Sequence, residues 1–196
     1  MAVLFCAFLS AYAAPSALTQ GAHAYESGNF QEAIEQFSIA IKEYPKNAHI
    51  YYIRGSVYAK LGDYIKAISD YDQALAIDAK YANAYFSRAN VRRNLGDYQK
   101  AIADYTRTIK LNPNYADVYY NRAGVYNRLG YTDKAIADYD QTIKIDPNYI
   151  GAYNNRGLIY FNLTNYKKAA QDAKKTCELG NCNALEYLKE NNLMRD

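Results

Sequence analysis

Small and apolar side chains recur along the chain with a period of 34 residues. Glycines mark this period most clearly, at Gly28, Gly62, Gly96 and Gly130. Alanine recurs with the same spacing at Ala33, Ala67, Ala101, Ala135 and Ala169, and isoleucine follows the first four. A fixed period of this length is typical of proteins built from stacked repeats. Starting the unit at Ala14 gives five repeats: 14–47, 48–81, 82–115, 116–149 and 150–183.

Each repeat predicts two helices joined by a tight turn. The first helix is expected over positions 2–14 and the second over about positions 17–30, where apolar residues follow a helical spacing. The glycine at position 15 forms the turn, because glycine adopts positive φ without steric cost. Helix N-caps are expected at position 16, in Asn29, Asp63, Asp97 and Asn165. At position 32, Pro45, Pro113 and Pro147 end the second helix.

Tyrosine dominates the aromatic composition, with 23 Tyr, 6 Phe and no Trp. Most of these tyrosines fall at positions 4, 11, 17, 24 and 34 of the repeat. There an aromatic ring can fill the gap between neighbouring helices while its hydroxyl reaches water or a carbonyl. The composition therefore needs no cofactor or stacking ligand to explain it.

The segment 48–81 resembles the tetratricopeptide repeat family. Its residues carry the family's aromatic, small and turn positions at the family's spacing: Tyr51, Gly55, Tyr58, Gly62, Tyr64, Ala67, Tyr71 and Ala74. The resemblance extends from residue 14 to about residue 190. It implies an all-α superhelix, or solenoid, of five 34-residue helical hairpins whose first helices line a concave groove. Members of the family are typically binding scaffolds and not enzymes.

Three segments depart from the repeat pattern. In the fourth repeat the turn reads Gly130-Tyr131-Thr132, which predicts that the N-cap moves to Thr132. In the fifth repeat Thr164 replaces the turn glycine, so we expect that turn to be remodelled. After the last repeat, 184–196 predicts a lone capping helix followed by a short tail, because the end of a repeat array must meet water.

Arginine at position 7 and aspartate at position 23 change together between repeats. Both are present in repeats 2 to 5 and absent from repeat 1, which has Gln20 and Gln36. This joint change predicts an ion pair inside each hairpin: Arg54 with Asp70, Arg88 with Asp104, Arg122 with Asp138, and Arg156 with Asp172. We interpret these pairs as structural, since an Arg fork suits a carboxylate, and not as an anion-binding site.

The first 13 residues predict an export signal. Residues 2–9 are apolar, and Ala11-Tyr12-Ala13 fits a small-x-small cleavage site. Export would place the protein in a secreted or periplasmic location; the alternative is a frayed apolar helix on a cytoplasmic protein. An exported chain would retain Cys177 and Cys182, which then form a candidate disulfide flanking Gly180.

Charge and chemistry exclude several functions. The formal net charge is only +3, which gives no electrostatic case for a nucleic-acid partner. His23 and His49 lie on different repeats without other ligands at metal spacing, and the apolar N-terminal run is too short to span a bilayer. We find no phosphate-binding loop or nucleophile motif. The chain is therefore expected to be non-enzymatic, with no cofactor, no metal and no transmembrane segment.

The resemblance also indicates which residues face the groove, namely positions 2, 5, 6, 9, 12 and 13 of each first helix. The candidate binding residues are Tyr52, Phe86, Asn90, Arg93, Tyr120, Asn121, Asn127, Arg128 and Asn155. Carboxamides can both donate to and accept from an extended peptide backbone, and basic side-chain groups favour an acidic group of the ligand.

Arg92 stands at position 11, where other repeats have tyrosine. We interpret it as an arginine whose aliphatic stem packs beside the core, and the alternative is a paired charge.

The leading functional hypothesis is a scaffold or adaptor that binds a peptide or protein segment in the groove. The alternative is a self-assembling scaffold, and hence a homo-oligomer, that uses the repeat 1 end. Its basis is an apolar flank at Ala17, Leu18 and Ala24 on a repeat without the Arg–Asp pair.

Overall fold

The computed structural model describes residues 16–193, and these residues form eleven helices and no strand. The all-α fold of consecutive helical hairpins is confirmed. The helices are α1 (Ala17–Glu26), α2 (Phe30–Glu43), α3 (Ala48–Lys60), α4 (Tyr64–Ile77), α5 (Ala82–Asn94), α6 (Tyr98–Leu111), α7 (Ala116–Arg128), α8 (Thr132–Ile145), α9 (Ile150–Asn162), α10 (Tyr166–Glu178) and α11 (Asn183–Glu190). The predicted export signal, residues 1–13, and the last three residues of the tail lie outside the described part.

The chain divides into two compact units, and the boundary lies between Ser87 and Arg88, inside α5. In the first unit, Phe37 and Ile50 belong to a buried cluster formed by α1, α2 and α3. In the second unit, Tyr139 is buried with Ala123 and Ala152. The alanine at position 20 of each repeat is at most 3% exposed, and its small side chain lets neighbouring helices approach closely.

None of the helices between residues 16 and 193 combines the length and apolar character needed to cross a bilayer.

The turn inside the fourth hairpin keeps the register of the other turns. Gly130 has φ +76°, and Tyr131 is the N-cap of α8 without a side-chain hydrogen bond. The prediction that the N-cap moves to Thr132 is therefore wrong, since Thr132 is the first residue of the helix. The position of the left-handed residue, and not the sequence after it, fixes where α8 begins.

The turn inside the fifth hairpin is not remodelled, contrary to expectation. Thr164 adopts φ +57°, in the left-handed region that glycine occupies elsewhere. The backbone N–H of Asn165 donates to the carbonyl of Tyr160 at 2.8 Å, just as Asp63 N–H donates to Tyr58. Asn165 then caps α10 by accepting from the N–H of Lys168. The hydrogen bonds of the turn thus hold threonine in a conformation that costs about 1–2 kcal/mol.

The predicted N-caps divide into two pairs. The side chains of Asp63 and Asn165 accept a backbone N–H three residues on, whereas those of Asn29 and Asp97 make no cap hydrogen bond.

The apolar flank expected at the start of repeat 1 is largely covered within the first unit. Ala24 is only 5% exposed, and Ala17 and Leu18 pack against the cluster around Phe37. Ala24 is therefore not available to another chain, because it is part of the core of its own hairpin.

The C-terminal helix α11 packs on α10. Leu188 is 3% exposed and belongs to one buried cluster with Ala169, Ala170 and Ala173. Cys177 and Cys182 form a disulfide across the turn that joins the two helices, and Gly180 lies in this turn with φ +96°.

Candidate functional site

Four arginine–aspartate pairs connect the two helices of hairpins two to five. In each pair Nε and Nη2 of the arginine donate to the two carboxylate oxygens, over distances of 2.6–3.0 Å. The pairs are Arg54–Asp70, Arg88–Asp104, Arg122–Asp138 and Arg156–Asp172. Each aspartate is 4–6% exposed. This parallel two-bond geometry fixes the rotation of the first helix against the second.

Arg54, Arg122 and Arg156 also contact the preceding hairpin, and these contacts were not predicted from the sequence. Nη1 of Arg54 donates to Ser38 at 2.8 Å in the first unit. In the second unit, Nη1 of Arg122 donates to Thr106 at 2.9 Å, and Nη1 of Arg156 donates to Asp140. The sequence does contain a pattern that could have predicted these contacts, because position 25 of each of these preceding repeats carries a side chain with an oxygen acceptor. The same arginine therefore closes its own hairpin and joins it to its neighbour.

Arg92 is a paired charge, so the interpretation favoured from the sequence is wrong. Its Nη1 lies 2.6 Å from Oδ2 of Asp104, the carboxylate that also accepts from Arg88. One buried aspartate thus serves two arginines, which binds the middle of α5 to α6.

In the first unit, the candidate Tyr52 lies in an aromatic group. Its ring centroid is 5.0 Å from that of Tyr81 and 6.0 Å from that of Tyr71. Tyr52 also lines a cavity of about 410 Å³ between α1 and α3, together with Leu18, Tyr25 and Phe37. Phe86, the other candidate of this unit, is half-buried on α5.

In the second unit, side chains from three first helices form a hydrogen-bonded group, which we call the carboxamide cluster: Asn90 and Arg93 on α5, Asp117, Tyr120 and Asn121 on α7, and Asn155 on α9. Nη1 of Arg93 donates to Oδ1 of Asn121, whose Nδ2 donates to the carbonyl of Asp117. Nδ2 of Asn155 donates to the hydroxyl of Tyr120 at 3.1 Å. Four of the candidate binding residues from the sequence are therefore connected across helices.

Two tyrosines, buried Tyr105 and half-buried Tyr149, orient the side chains of this cluster. The hydroxyl of Tyr105 donates to Oδ1 of Asn90 at 2.7 Å, and that of Tyr149 donates to Oδ1 of Asp117 at 2.8 Å. Burial raises the pKa of Tyr105 to about 12, and burial also raises the pKa of Tyr149. Both hydroxyls therefore stay protonated at neutral pH and act as fixed donors. Hydrogen bonds from tyrosine hydroxyls to side chains of the candidate binding face were not expected from the sequence.

Asn127 and Arg128 lie apart from the cluster. Both are exposed, and the guanidinium of Arg128 lies over the ring of Tyr98 at 5.8 Å from its centroid. Asn127 and Arg128 are thus groove candidates only because of their positions in the repeat, since no described contact connects them to the cluster.

The cluster is suited to binding. Its amides, its arginine and its tyrosine hydroxyls can all hydrogen-bond a ligand. Among residues 16–193, no three His, Cys, Asp or Glu side chains are grouped so that they could hold a metal ion.

Comparison with known proteins identifies the repeats. Five family models, all described as tetratricopeptide (TPR) repeats, match residues 18–82, 82–115, 104–137, 125–164 and 150–179. Curated proteins gave no match. A crystal structure of MamA is 31% identical, covers 87% of this chain and 96% of its own, and superposes with a TM-score of 0.78.

Two further structures share the fold at lower identity. MamA from Desulfovibrio magneticus RS-1 is 21% identical with a TM-score of 0.76, over 81% of this chain and 90% of its own. YrrB, described as a TPR protein with an unusual peptide-binding site, is 20% identical with a TM-score of 0.73. The match covers 86% of this chain and 88% of the YrrB chain.

Proposed function

Since the chain belongs to the tetratricopeptide repeat family, we propose that its carboxamide cluster binds an extended segment of a partner protein. The chain is a non-catalytic protein-interaction scaffold, which is the role that its tetratricopeptide repeats indicate. The proposal concerns where on the chain the partner segment binds and which chemical groups of that segment are recognised.

The observation that carries this proposal is the arrangement of donors that the cluster leaves available. Tyr105 occupies Oδ1 of Asn90, so the Nδ2 amide of Asn90 remains free to donate. Arg93 uses one Nη group on Asn121, and its other N–H groups have no partner among the described residues. No described side-chain polar atom is both fully buried and unsatisfied, so each of these donors keeps some access to solvent. Oriented donors of this kind fit the carbonyl groups of an extended backbone.

The guanidinium of Arg93 favours an acidic residue in the segment. Asp117 also brings a negative charge to the cluster, but its Oδ1 accepts from the Tyr149 hydroxyl. Arg93 is half-buried with free N–H groups, which favours pairing with a carboxylate of the partner. The fold shared with YrrB, whose description names a peptide-binding site, supports a peptide as the class of ligand.

Two matched double variants test the proposal. R93A/N121A removes an arginine and an asparagine from the cluster, whereas N127A/R128A removes the same residue types outside it. Peptides selected from a random phage-displayed library on the wild-type protein serve as probes, with affinity read by fluorescence anisotropy. We expect about tenfold weaker binding for R93A/N121A and about twofold or less for the control. Equal affinities of the two variants, or selected peptides without Asp or Glu, would overturn the proposal.

We also propose that the protein is exported. The apolar segment 2–9 supports this, and so does the disulfide between Cys177 and Cys182, since disulfides persist in oxidising compartments. Full-length chain fused to alkaline phosphatase, which is active only after export from a bacterial cytoplasm, would give activity. A fusion that lacks residues 1–13 is the control, and equal activity of the two fusions would contradict export by this segment.

Self-assembly remains the alternative. The cavity between α1 and α3, with Tyr25 exposed at its edge, is the part of the first unit that supports it. Sedimentation equilibrium of residues 14–196 distinguishes the two: a single monomeric species at high concentration excludes self-assembly, and leaves the peptide proposal untouched.

A further inference from the structure

The fifth hairpin lacks an aromatic pair that the second and fourth hairpins contain. In those hairpins the ring at position 5 packs on the ring at position 24. The centroids are 6.0 Å apart for Tyr52 and Tyr71, and 5.8 Å apart for Tyr120 and Tyr139. In the fifth hairpin the same two positions carry Asn154 and Ala173. Both rings are thus replaced by much smaller side chains.

A cavity of about 480 Å³ lies where these rings are missing. It is enclosed by α9, α10 and α11, and both Asn154 and Ala173 line it. The other walls include Leu158, Phe161 and Tyr187. Helix α11 covers Ala173 with Leu188 but leaves Leu158 58% exposed and Tyr187 53% exposed at the rim. The cavity is therefore open to a ligand from outside.

The lining decides which side chain the cavity can accept. Among residues 16–193 no charged side chain lines it, so a charged ligand side chain would lose its hydration without gaining a partner there. Phe161 and Tyr187 already pack edge to face, with centroids 5.9 Å apart. A further ring beside them would gain the same favourable geometry. A neutral aromatic side chain fits within the cavity and matches the chemistry of its lining.

The cavity is continuous with the carboxamide cluster, because Asn155 belongs to both. We propose that the cavity accepts one aromatic side chain of the partner segment, which supplies in trans one of the two rings that the fifth hairpin lacks. Asn154 and Asn155 at its edge can hydrogen-bond the backbone of that residue. This inference rests on the proposed function, since it assigns a side chain to the same bound segment.

N-acetyl-phenylalaninamide is the probe that tests this inference, titrated into the ¹⁵N-labelled full chain and followed by amide chemical shifts. We expect saturable shifts in α9, α10 and α11, and binding about tenfold weaker for N-acetyl-aspartamide. A173Y places tyrosine where repeats 2 to 4 already have it; it should raise the melting temperature and abolish probe binding. A137Y introduces the same ring at an exposed site on α8 and should bind as wild type does.

Several outcomes would overturn the inference. No saturable shift in the wild type, retained binding in A173Y, or equal affinity for N-acetyl-leucinamide would each do so. If A173Y fails to fold, L158E replaces it, because Leu158 is exposed at the rim and its change leaves the core intact. R93A/N121A should bind this probe normally, so that a failure here is distinguishable from a failure of the proposed function.

Discussion

The hydroxyl of Tyr105, in the core of the third hairpin, donates a 2.7 Å hydrogen bond to Oδ1 of Asn90 on the candidate binding face. This bond couples the packing of α6 against α5 to the orientation of a surface amide. Tyr105→Phe should therefore cost about 1 kcal/mol of unfolding free energy and weaken peptide binding by a few fold. Urea denaturation and anisotropy measure the two effects. Tyr44→Phe, at a ring that is 55% exposed, is the control, and an equal loss of binding in it would contradict the role of Tyr105.

The buried tyrosines also predict how stability depends on alkaline pH. Burial raises the pKa of Tyr71, Tyr105 and Tyr139 from 10.0 to about 12. Between these values the unfolded chain loses protons that the folded chain retains, so stability falls as pH rises. Melting temperatures measured from pH 9 to 12 should fall with a slope that is shallower in Tyr105→Phe. An identical slope in the variant would contradict this explanation.

The arginine–aspartate pairs should dominate the polar contribution to stability. Asp138→Asn leaves Arg122 partly buried without its carboxylate, which should cost about 3 kcal/mol. Asp133→Asn makes the same change at an exposed site on the same helix and should stay within about 0.5 kcal/mol of wild type. Urea titration of both variants is the measurement. Equal midpoints would show that the pair does not stabilise the hairpin.

Thr164 and Gly130 occupy equivalent left-handed turn positions, so exchanging their residue types tests the cost of the backbone conformation. Thr164→Gly relieves the strain at φ +57° and should stabilise the protein by about 1 kcal/mol. Gly130→Thr should destabilise it by a similar amount, because no atom lies near an added Cβ there and only the backbone is strained. Thermal unfolding tests both. A Thr164→Gly variant of lower stability would mean that the hydroxyl, which donates to the carbonyl of Leu163, outweighs the strain.

The disulfide should act locally on α11. Cys177→Ser with Cys182→Ser opens a six-residue loop, which should cost about 2 kcal/mol in the chain-entropy model. Hydrogen exchange should accelerate in Asn183–Glu190 and remain unchanged in α7. The same acceleration in the wild type under reductant is the confirming observation. Unchanged exchange in α11 would show that Leu188 alone holds this helix.

The repeat period predicted the hairpins because helix position depends on local spacing. The joint loss of Arg and Asp in repeat 1 likewise singled out the residues that pair in the other repeats. The interpretation of Arg92 was wrong because its partner, Asp104, was already assigned to Arg88. The sequence alone does not show that one carboxylate can accept hydrogen bonds from two arginines. Thr164 was misread because backbone hydrogen bonds overrode an unfavourable residue preference. The cavity at Ala173 required coordinates, since a missing ring could have been filled by α11.

The acceptors at position 25 differ in charge, and this difference has a consequence for cooperativity. Arg122 meets the neutral hydroxyl of Thr106, whereas Arg156 meets the carboxylate of Asp140. Both hydrogen bonds have an ionised donor, but only that of Arg156 also has an ionised acceptor, which adds a charge–charge attraction. In a one-dimensional array, stability is a sum of repeat energies and nearest-neighbour couplings. The fourth and fifth hairpins are therefore the most tightly coupled neighbours of the second unit, and they should unfold together as one cooperative block.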